Sequence, residues 1–324
     1  MRAMTLARYG TPDVFHLGTM PSPEPKAGEV LVRIHATAAT PSDCAMRLGR
    51  PLVIRLFAGL RRPKASILGD VFAGEVVAVG PGATKFRPGD AVYGTAAPGT
   101  GTYAELLCLS ENGPIARKPD GLSFSEAAGI SDGVVTALPF LRDHGRVGPG
   151  QRVLVNGASG AIGSIAVQLA KHFGAEVTGV CSTRNVDLVR SLGADHVIDY
   201  TTTDFTAARN AYDVIFDAVG KSSFARAGRA LKPGGRYLTT VPTFGAVAQG
   251  LRTRLFGSRR AVFAMTGLRS GPAKAADLHF ANGLIEAGQL RAVTDRTYPL
   301  SRLAEAHAYV ETGHKRGSVV IAVP

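Results

Sequence analysis

Hydrophobic and polar residues alternate with a period of two in the first third of the chain. Over residues 29–36, Val30, Val32, Ile34 and Ala36 share one face while Arg33 and His35 take the other, the pattern of a half-buried strand. Residues 4–8, 74–79, 91–93 and 103–109 read as further strands. Gly80-Pro81-Gly82 and Pro88-Gly89-Asp90 punctuate them, proline fixing φ and glycine supplying the left-handed conformation of a tight turn. The prediction for this third is an all-β module, a small barrel.

From about Ser123 the pattern changes to alternating helices and strands, the mark of a parallel sheet covered on both faces. Strands are predicted at 152–156, 176–180, 196–199, 213–217, 236–241 and 261–263, enough for a doubly wound α/β sheet. The helix between the first two, 162–173, carries Ile162, Ile165, Ala166, Leu169, Ala170 and Phe173 at helical spacing and stops at Gly174. A helix at 275–287, a strand at 293–298, a helix at 303–311 and a strand at 318–323 follow. That last strand is isolated from the α/β block and β-branched, so its expected partner is the N-terminal module. The organisation expected is 1–122 for the first part of the β module, 123–289 for the α/β domain and 290–324 for the return.

A length of 324 residues suits two domains, or one interrupted by another. Cys44, Cys108 and Cys181 are odd in number, far apart and free of any C-x-x-C pair, which points to a reducing compartment. The N-terminus opens directly into a strand pattern, and no apolar run approaches membrane-spanning length. A cytoplasmic location is the expectation.

The candidate chemistry begins at Val153-Leu154-Val155-Asn156-Gly157-Ala158-Ser159-Gly160-Ala161-Ile162-Gly163. A strand runs into glycines and then into an amphipathic helix, so backbone at Gly157, Gly160 and Gly163 can approach a pyrophosphate while the helix start offers N–H groups to it. Ala158 stands where the strict G-x-G-x-x-G fingerprint has glycine. NAD-preferring folds of this kind end the second strand with a carboxylate for the ribose 2′-hydroxyl. Here that strand ends in Cys181-Ser182-Thr183-Arg184, two hydroxyls and a guanidinium suited to a 2′-phosphate, so NADPH is the expected cofactor.

With these residues in view, the chain resembles the medium-chain dehydrogenase/reductase superfamily over its whole length, and within it the zinc-independent quinone oxidoreductase branch that also contains NADPH-dependent alkenal and enone reductases. The resemblance rests on Ala39-Thr40-Pro41-Ser42-Asp43, Leu68-Gly69-Asp70-Val71-Phe72-Ala73-Gly74, Phe86-Arg87-Pro88-Gly89-Asp90, the 157–163 turn, the run from Leu192 to Tyr200, and Gly313-His314-Lys315-Arg316-Gly317. It implies a GroES-like β-barrel catalytic domain interrupted by a doubly wound parallel-sheet Rossmann domain, with nicotinamide and substrate in the cleft between them. Homodimers are the family's habit.

The superfamily's zinc enzymes hold their catalytic metal at positions that fall here on Thr40, Asp70 with Val71, and Asp132, so no zinc-type ligand remains and no metal is expected. Without a Lewis acid, the favoured reaction is hydride transfer to a quinone or an activated C=C, whose developing negative charge needs only hydrogen-bond donors. Family members often carry Asn at the position of Thr40 and Tyr near Ala45; this chain keeps Asp43 and lacks both. Asp43, Tyr93 and Asp132, the last beside Ser131, are the catalytic candidates. Expected cofactor contacts are Thr136, Gly157, Ser159, Gly160, Ala161, Ile162, Gly163, Ser182, Thr183, Arg184, Tyr200, Val219, Val241, Phe263 and Lys315.

The formal net charge of +12 raises nucleic acid or an anionic membrane as partners. Basic residues concentrate at Arg55, Arg61, Arg62 and Lys64 and at Arg252, Arg254, Arg259 and Arg260, without an interleaved aromatic platform, so solvated arginines are the preferred reading. Leu52, Val53, Ile54, Leu56, Phe57 and Leu60 mix with the first cluster. A segment packed on its own barrel or capping the substrate is expected there, with peripheral membrane contact the lesser alternative. The rival functions are a non-catalytic NADPH-binding protein contacting nucleic acid and an alcohol dehydrogenase-like enzyme.

Overall fold

The computed structural model describes residues 1–96, 101–241 and 244–324. They form two compact units, the first of Met1–Asp132, Ser270–Glu286 and Ala292–Pro324, the second of Gly133–Arg269 and Ala287–Arg291.

In the first unit the main sheet runs, neighbour to neighbour, through Thr294–Pro299, Ser318–Ala322, Glu29–Ala39, Val71–Val79, Ala91–Thr95 and Ile115–Arg117, with Leu106–Ser110 also paired to Glu29–Ala39. Among the described residues these pairings make an open path. The alternation read from sequence sets the register: Val30, Val32 and Ile34 are fully buried, and a slip of one residue would turn that face to water. Ser318–Ala322 pairs antiparallel with Glu29–Ala39, Val319 opposite Ala39 and Ala322 opposite Ala36, so the terminal strand does return to the N-terminal module. The strand expected at 103–109 is shorter, Leu106–Ser110, because Ala104 instead bridges Ala3 and the Met4 N–H donates to the Tyr103 carbonyl at 2.8 Å.

Helix Gly271–Glu286 packs into this first unit rather than the second, twenty residues before the expected return at 290. Tyr93 holds it, its hydroxyl donating to Asn282 Oδ1 at 2.6 Å and the Leu278 carbonyl at 3.3 Å, and the Asn282 amide donates to the Arg117 carbonyl at 2.9 Å. The other boundary, between Asp132 and Gly133, falls inside helix Phe124–Pro139.

The second unit is a six-stranded, wholly parallel sheet ordered His196–Asp199, Glu176–Cys181, Arg152–Asn156, Tyr212–Asp217, Leu231–Thr239, Arg260–Phe263. Val153, Leu154 and Val155 are fully buried, as a strand covered on both faces requires. The chain doubles back between Arg152–Asn156 and its neighbour Tyr212–Asp217, the kind of switch point where open α/β sheets receive ligands. Among the described residues no helix is long and apolar enough to cross a membrane.

Candidate functional site

The second unit's site is built from backbone. Gly157 takes φ +82°, and a Cβ there would lie 2.1 Å from Val219 Cγ2. A Cβ on Gly163 would lie 2.0 Å from the Gly157 carbonyl oxygen, so only glycine lets helix Ala161–His172 start against the turn. Gly160 is the N-cap and carries no side chain to cap the first-turn N–H groups, which leaves them to an anion. Ala158 breaks the strict fingerprint, yet its methyl is fully buried over Gly179, where an added Cβ would come 3.0 Å from it and 2.4 Å from Val189 Cγ1. The space a glycine would leave at 158 is supplied from the neighbouring strand.

Beside this turn the Asn185 amide donates to Ser159 Oγ at 3.0 Å and to Ser182 Oγ at 3.2 Å. Both hydroxyls accept there and keep their own protons to donate. Asn185 was not among the sequence candidates; its position three residues after Ser182, at the start of helix Val186–Ser191, was the available signal. Arg184 is exposed, and Tyr200 is exposed beside it in the fold, its N–H donating to the Cys181 carbonyl at 3.0 Å.

Thr183 departs from expectation. Its hydroxyl donates to Asp199 Oδ2 at 2.6 Å, so its proton is committed inside the protein. Hydrogen bonds from Thr183 and Thr201 hold the Asp199 carboxyl below the usual range. No carboxylate ends the second strand, but the parallel register Asp199 with Cys181 brings one across from the third.

At the switch point the fully buried Asp217 carboxylate accepts from the Asn156 amide at 2.9 Å, from the N–H groups of Val219, Gly220 and Ser222, and from the Tyr237 hydroxyl at 2.7 Å. That fixes the loop carrying Val219. Val241 lines a cavity of about 90 Å³ with Ser222, Tyr237, Thr239 and Ala261, whereas Val219 and Phe263 stand outside its lining. A Cβ on Gly133 would meet Ile165 Cγ1 at 2.6 Å and the Ala161 carbonyl at 3.0 Å, which places the helical turn bearing buried Thr136 over the start of helix Ala161–His172.

The first unit holds a different cluster. Thr40 caps helix Pro41–Leu48 through a reciprocal capping box: Asp43 N–H donates to Thr40 Oγ1 at 3.1 Å and Thr40 N–H donates back to Asp43 Oδ2 at 3.1 Å, with Thr40 Oγ1 also donating to Asp43 Oδ2 at 2.7 Å. Burial pushes the Asp43 carboxyl up to about 6. Burial, with repulsion from Asp43 and Asp132, pushes Asp70 up to about 7 against the opposing charge of Lys274. Buried Lys274 and Asp277 escaped the sequence reading. Both lie on the face of helix Gly271–Glu286 that buries Leu278 and Ala281, and two charges on an apolar face were the missed signal. Near them Thr95 is fully buried, and its hydroxyl has no partner among the described residues.

Two candidates are hydrogen-bonded within the first unit. Tyr93 is fully buried, and its hydroxyl, donating to Asn282 Oδ1 and the Leu278 carbonyl, fastens helix Gly271–Glu286. Lys315, expected at a cofactor, donates to the Gly317 carbonyl at 2.9 Å within the first unit; burial lowers its pKa while Asp132 and Asp295 oppose that shift. Ser131 donates to the Ala127 carbonyl at 2.8 Å within its own helix.

Zinc does not fit this donor set. The positions Thr40, Asp70 with Val71, and Asp132 offer neither thiolate nor imidazole, and Thr40 is taken up by its cap. Cys44 lies 3.3 Å from His307 Nδ1, but burial pushes its thiol up to about 12 and pulls His307 down to about 3, leaving both neutral. Among the described residues no group of three or more His, Cys, Asp or Glu is placed to hold a metal.

Comparison with known proteins matches residues 26–120 to the alcohol dehydrogenase GroES-like domain and residues 192–321 to the zinc-binding dehydrogenase family. The chain is 34% identical to the chloroplastic NADPH-dependent alkenal/one oxidoreductase of Arabidopsis thaliana over 99% of its own length and 79% of that protein's. It is 31% identical to a chloroplastic quinone oxidoreductase of Triphysaria versicolor, over 99% of this chain and 98% of that one. The solved quinone oxidoreductase of Coxiella burnetii superposes with a TM-score of 0.87 at 31% identity, covering 100% of this chain and 99% of that one.

Proposed function

The chain belongs to the medium-chain dehydrogenase/reductase superfamily, in its quinone and enone reductase branch, and from that premise we propose that it reduces α,β-unsaturated carbonyls or quinones with NADPH. The observation that carries the proposal is the uncapped helix start at Gly160–Gly163, where a Cβ on Gly163 would strike the Gly157 carbonyl and one on Gly157 the Val219 side chain. Bound there, NADPH supplies the hydride that adds to the β-carbon of an enone or to a quinone.

The chain's own residues do the rest. First-turn N–H groups of Ala161, Ile162 and Gly163 hold the pyrophosphate, with Ser159 presented as a donor by Asn185. Ser182 and Arg184 take the 2′-phosphate, and Tyr200 covers the adenosine side. Thr136, Val219, Val241 and Phe263 flank the nicotinamide ribose. Hydride addition to the β-carbon leaves an enolate, and the Asp70 carboxyl, raised to about 7 by burial, donates a proton to its oxygen. The enol tautomerises through solvent to the saturated carbonyl by gaining a proton at the α-carbon and losing the one on oxygen. A quinone takes the same proton on oxygen to give the hydroquinone, and solvent reprotonates Asp70. Asp43 and Asp132 keep that proton in place by repelling the Asp70 anion.

A homodimer and a cytoplasmic setting complete the reading. Arg260–Phe263 ends the sheet with its outer edge unpaired among the described residues, beside exposed Leu251, Leu255 and Phe256, an edge a second copy would cover. All three thiols are free. The test is NADPH oxidation against 1,4-quinones, 2-alkenals and cyclic enones with NADH alongside. Turnover of one of these classes with a preference for NADPH is expected; activity confined to simple alcohols and NAD⁺ would overturn the reading.

A further inference from the structure

Between Asp43 and Asp70 the chain has no acidic residue and six cations, Arg47, Arg50, Arg55, Arg61, Arg62 and Lys64. Two of them anchor the segment. Arg47 is fully buried in an ion pair with Glu311, and Arg55 stacks 4.7 Å over the Tyr9 ring while donating to the Gly49 carbonyl. Tyr9 also donates to the Gly59 carbonyl at 2.6 Å, and the Lys64 N–H to the Ala58 carbonyl at 2.7 Å. The base is therefore fixed.

What the fixed base presents is apolar. Helix Val53–Ala58 buries none of its residues, so of the two expectations for this segment, packing on its own barrel or capping the substrate, the first does not hold. Leu52, Leu56, Phe57 and Leu60 are 69%, 65%, 75% and 68% exposed, and Val53 is 42% exposed. Arg50, Arg61, Arg62 and Lys64 surround them, exposed and in no ion pair among the described residues. Beside this face lies an open hollow of about 630 Å³ lined by Arg62, Lys64, His16 and Ser66.

We infer that this face docks on an anionic phospholipid bilayer, with Leu52, Leu56, Phe57 and Leu60 entering the interface and the four unpaired cations meeting headgroup phosphates. Charge complementarity selects the occupant: a neutral apolar partner leaves the cations unmatched, and a nucleic acid leaves the aliphatic tips unmatched. Neither signal suffices alone, but a short apolar anchor joined to a basic patch is the two-signal arrangement of peripheral binding. Apolar quinones and alkenals partition into the same lipid, although the inference does not rest on the proposed activity.

The test is co-sedimentation of the full chain with phosphatidylcholine vesicles, with and without phosphatidylglycerol, at low and high salt. Binding that needs the anionic lipid and weakens at least about tenfold at high salt is expected. The double variant Leu56→Asp/Phe57→Asp and the triple variant Arg61→Glu/Arg62→Glu/Lys64→Glu should each lose at least about tenfold in vesicle partitioning, with kcat/KM for a small water-soluble enone and the thermal midpoint unchanged. Three results overturn the inference. The first is no sedimentation of the unaltered chain with anionic vesicles, whatever its activity. The second is a variant that keeps vesicle binding but loses turnover of the soluble enone, which assigns the face to substrate. The third is an oligomer in lipid-free solution that Leu56→Asp/Phe57→Asp dissociates, which assigns it to a second copy.

Discussion

The phosphate turn of the second unit and the acid cluster of the first are built on opposite plans. In the turn, function sits in the main chain: Gly157 and Gly163 matter for the atoms they lack, and the groups offered to a ligand are N–H groups that any sequence carries. In the acid cluster the proposed chemistry sits in side chains from separate segments, with burial and the neighbouring Asp132 charge raising the Asp43 and Asp70 carboxyls and Lys274 opposing the shift at Asp70. The first kind of site tolerates changes of side chain and fails on the addition of a methyl. The role proposed for the second depends on a single proton held by one carboxyl.

The largest expected effect probes that contrast at Asp70. Asp70→Asn keeps the shape and removes the proton, so kcat should fall by about 10²- to 10⁴-fold with KM nearly unchanged. In the unaltered protein kcat should decline as pH rises through about 7, where Asp70 loses its proton, and this limb should vanish in the variant. The stability sign follows from the same shift. The folded-state value lies above the ordinary carboxyl value of 3.8, so the native state holds the extra proton and loses stability relative to Asp70→Asn as pH rises from about 4 to about 7. Thermal midpoints across pH that differ by a constant amount would remove Asp70 from the mechanism.

Gly163→Ala is next. The new methyl would fall 2.0 Å from a backbone oxygen that cannot swing away, so the helix start must move and NADPH affinity should drop about 100-fold or more, read from cofactor fluorescence alongside far-ultraviolet circular dichroism. A folded variant with unaltered affinity would break the backbone half of the comparison. Arg184→Ala should raise the KM for NADPH about tenfold and leave that for NADH unmoved, the size of one charge-assisted hydrogen bond. Equal loss for both cofactors would detach Arg184 from the 2′-phosphate. Smallest is Tyr93→Phe, which removes the bond to Asn282 and should cost about 1 kcal/mol of stability in a denaturant titration with kcat intact. A fall in kcat there would return Tyr93 to the chemistry.

The same contrast explains what the sequence disclosed. The α/β strands, the 157–163 turn and the return of the last strand were legible because each is a local period or a fixed spacing, and the fold reproduces them in register. Asn185 and Asp199 were not, because their partners Ser159 and Thr183 become neighbours only when parallel strands align. Lys274 and Asp277 were hidden in a helix whose attachment depends on Tyr93, far away in the chain, and that attachment also moved the return to the first unit upstream. For the 50–64 segment the expectation is packing on its own barrel or a cap over the substrate; the structure fixes its base through Arg55, Tyr9 and Gly59 and leaves its apolar residues exposed, with nothing covering that face among the described residues.

Ala158 over Gly179 makes inheritance at these two positions unequal. Position 158 can return to glycine at the expense of a methyl-sized void, whereas position 179 can gain a methyl only after both Ala158 and Val189 have made room. Among descendants of this chain, glycine at 179 should therefore outlast whatever stands at 158, since a change at 158 alone leaves Val189 Cγ1 2.4 Å from where the new methyl would fall.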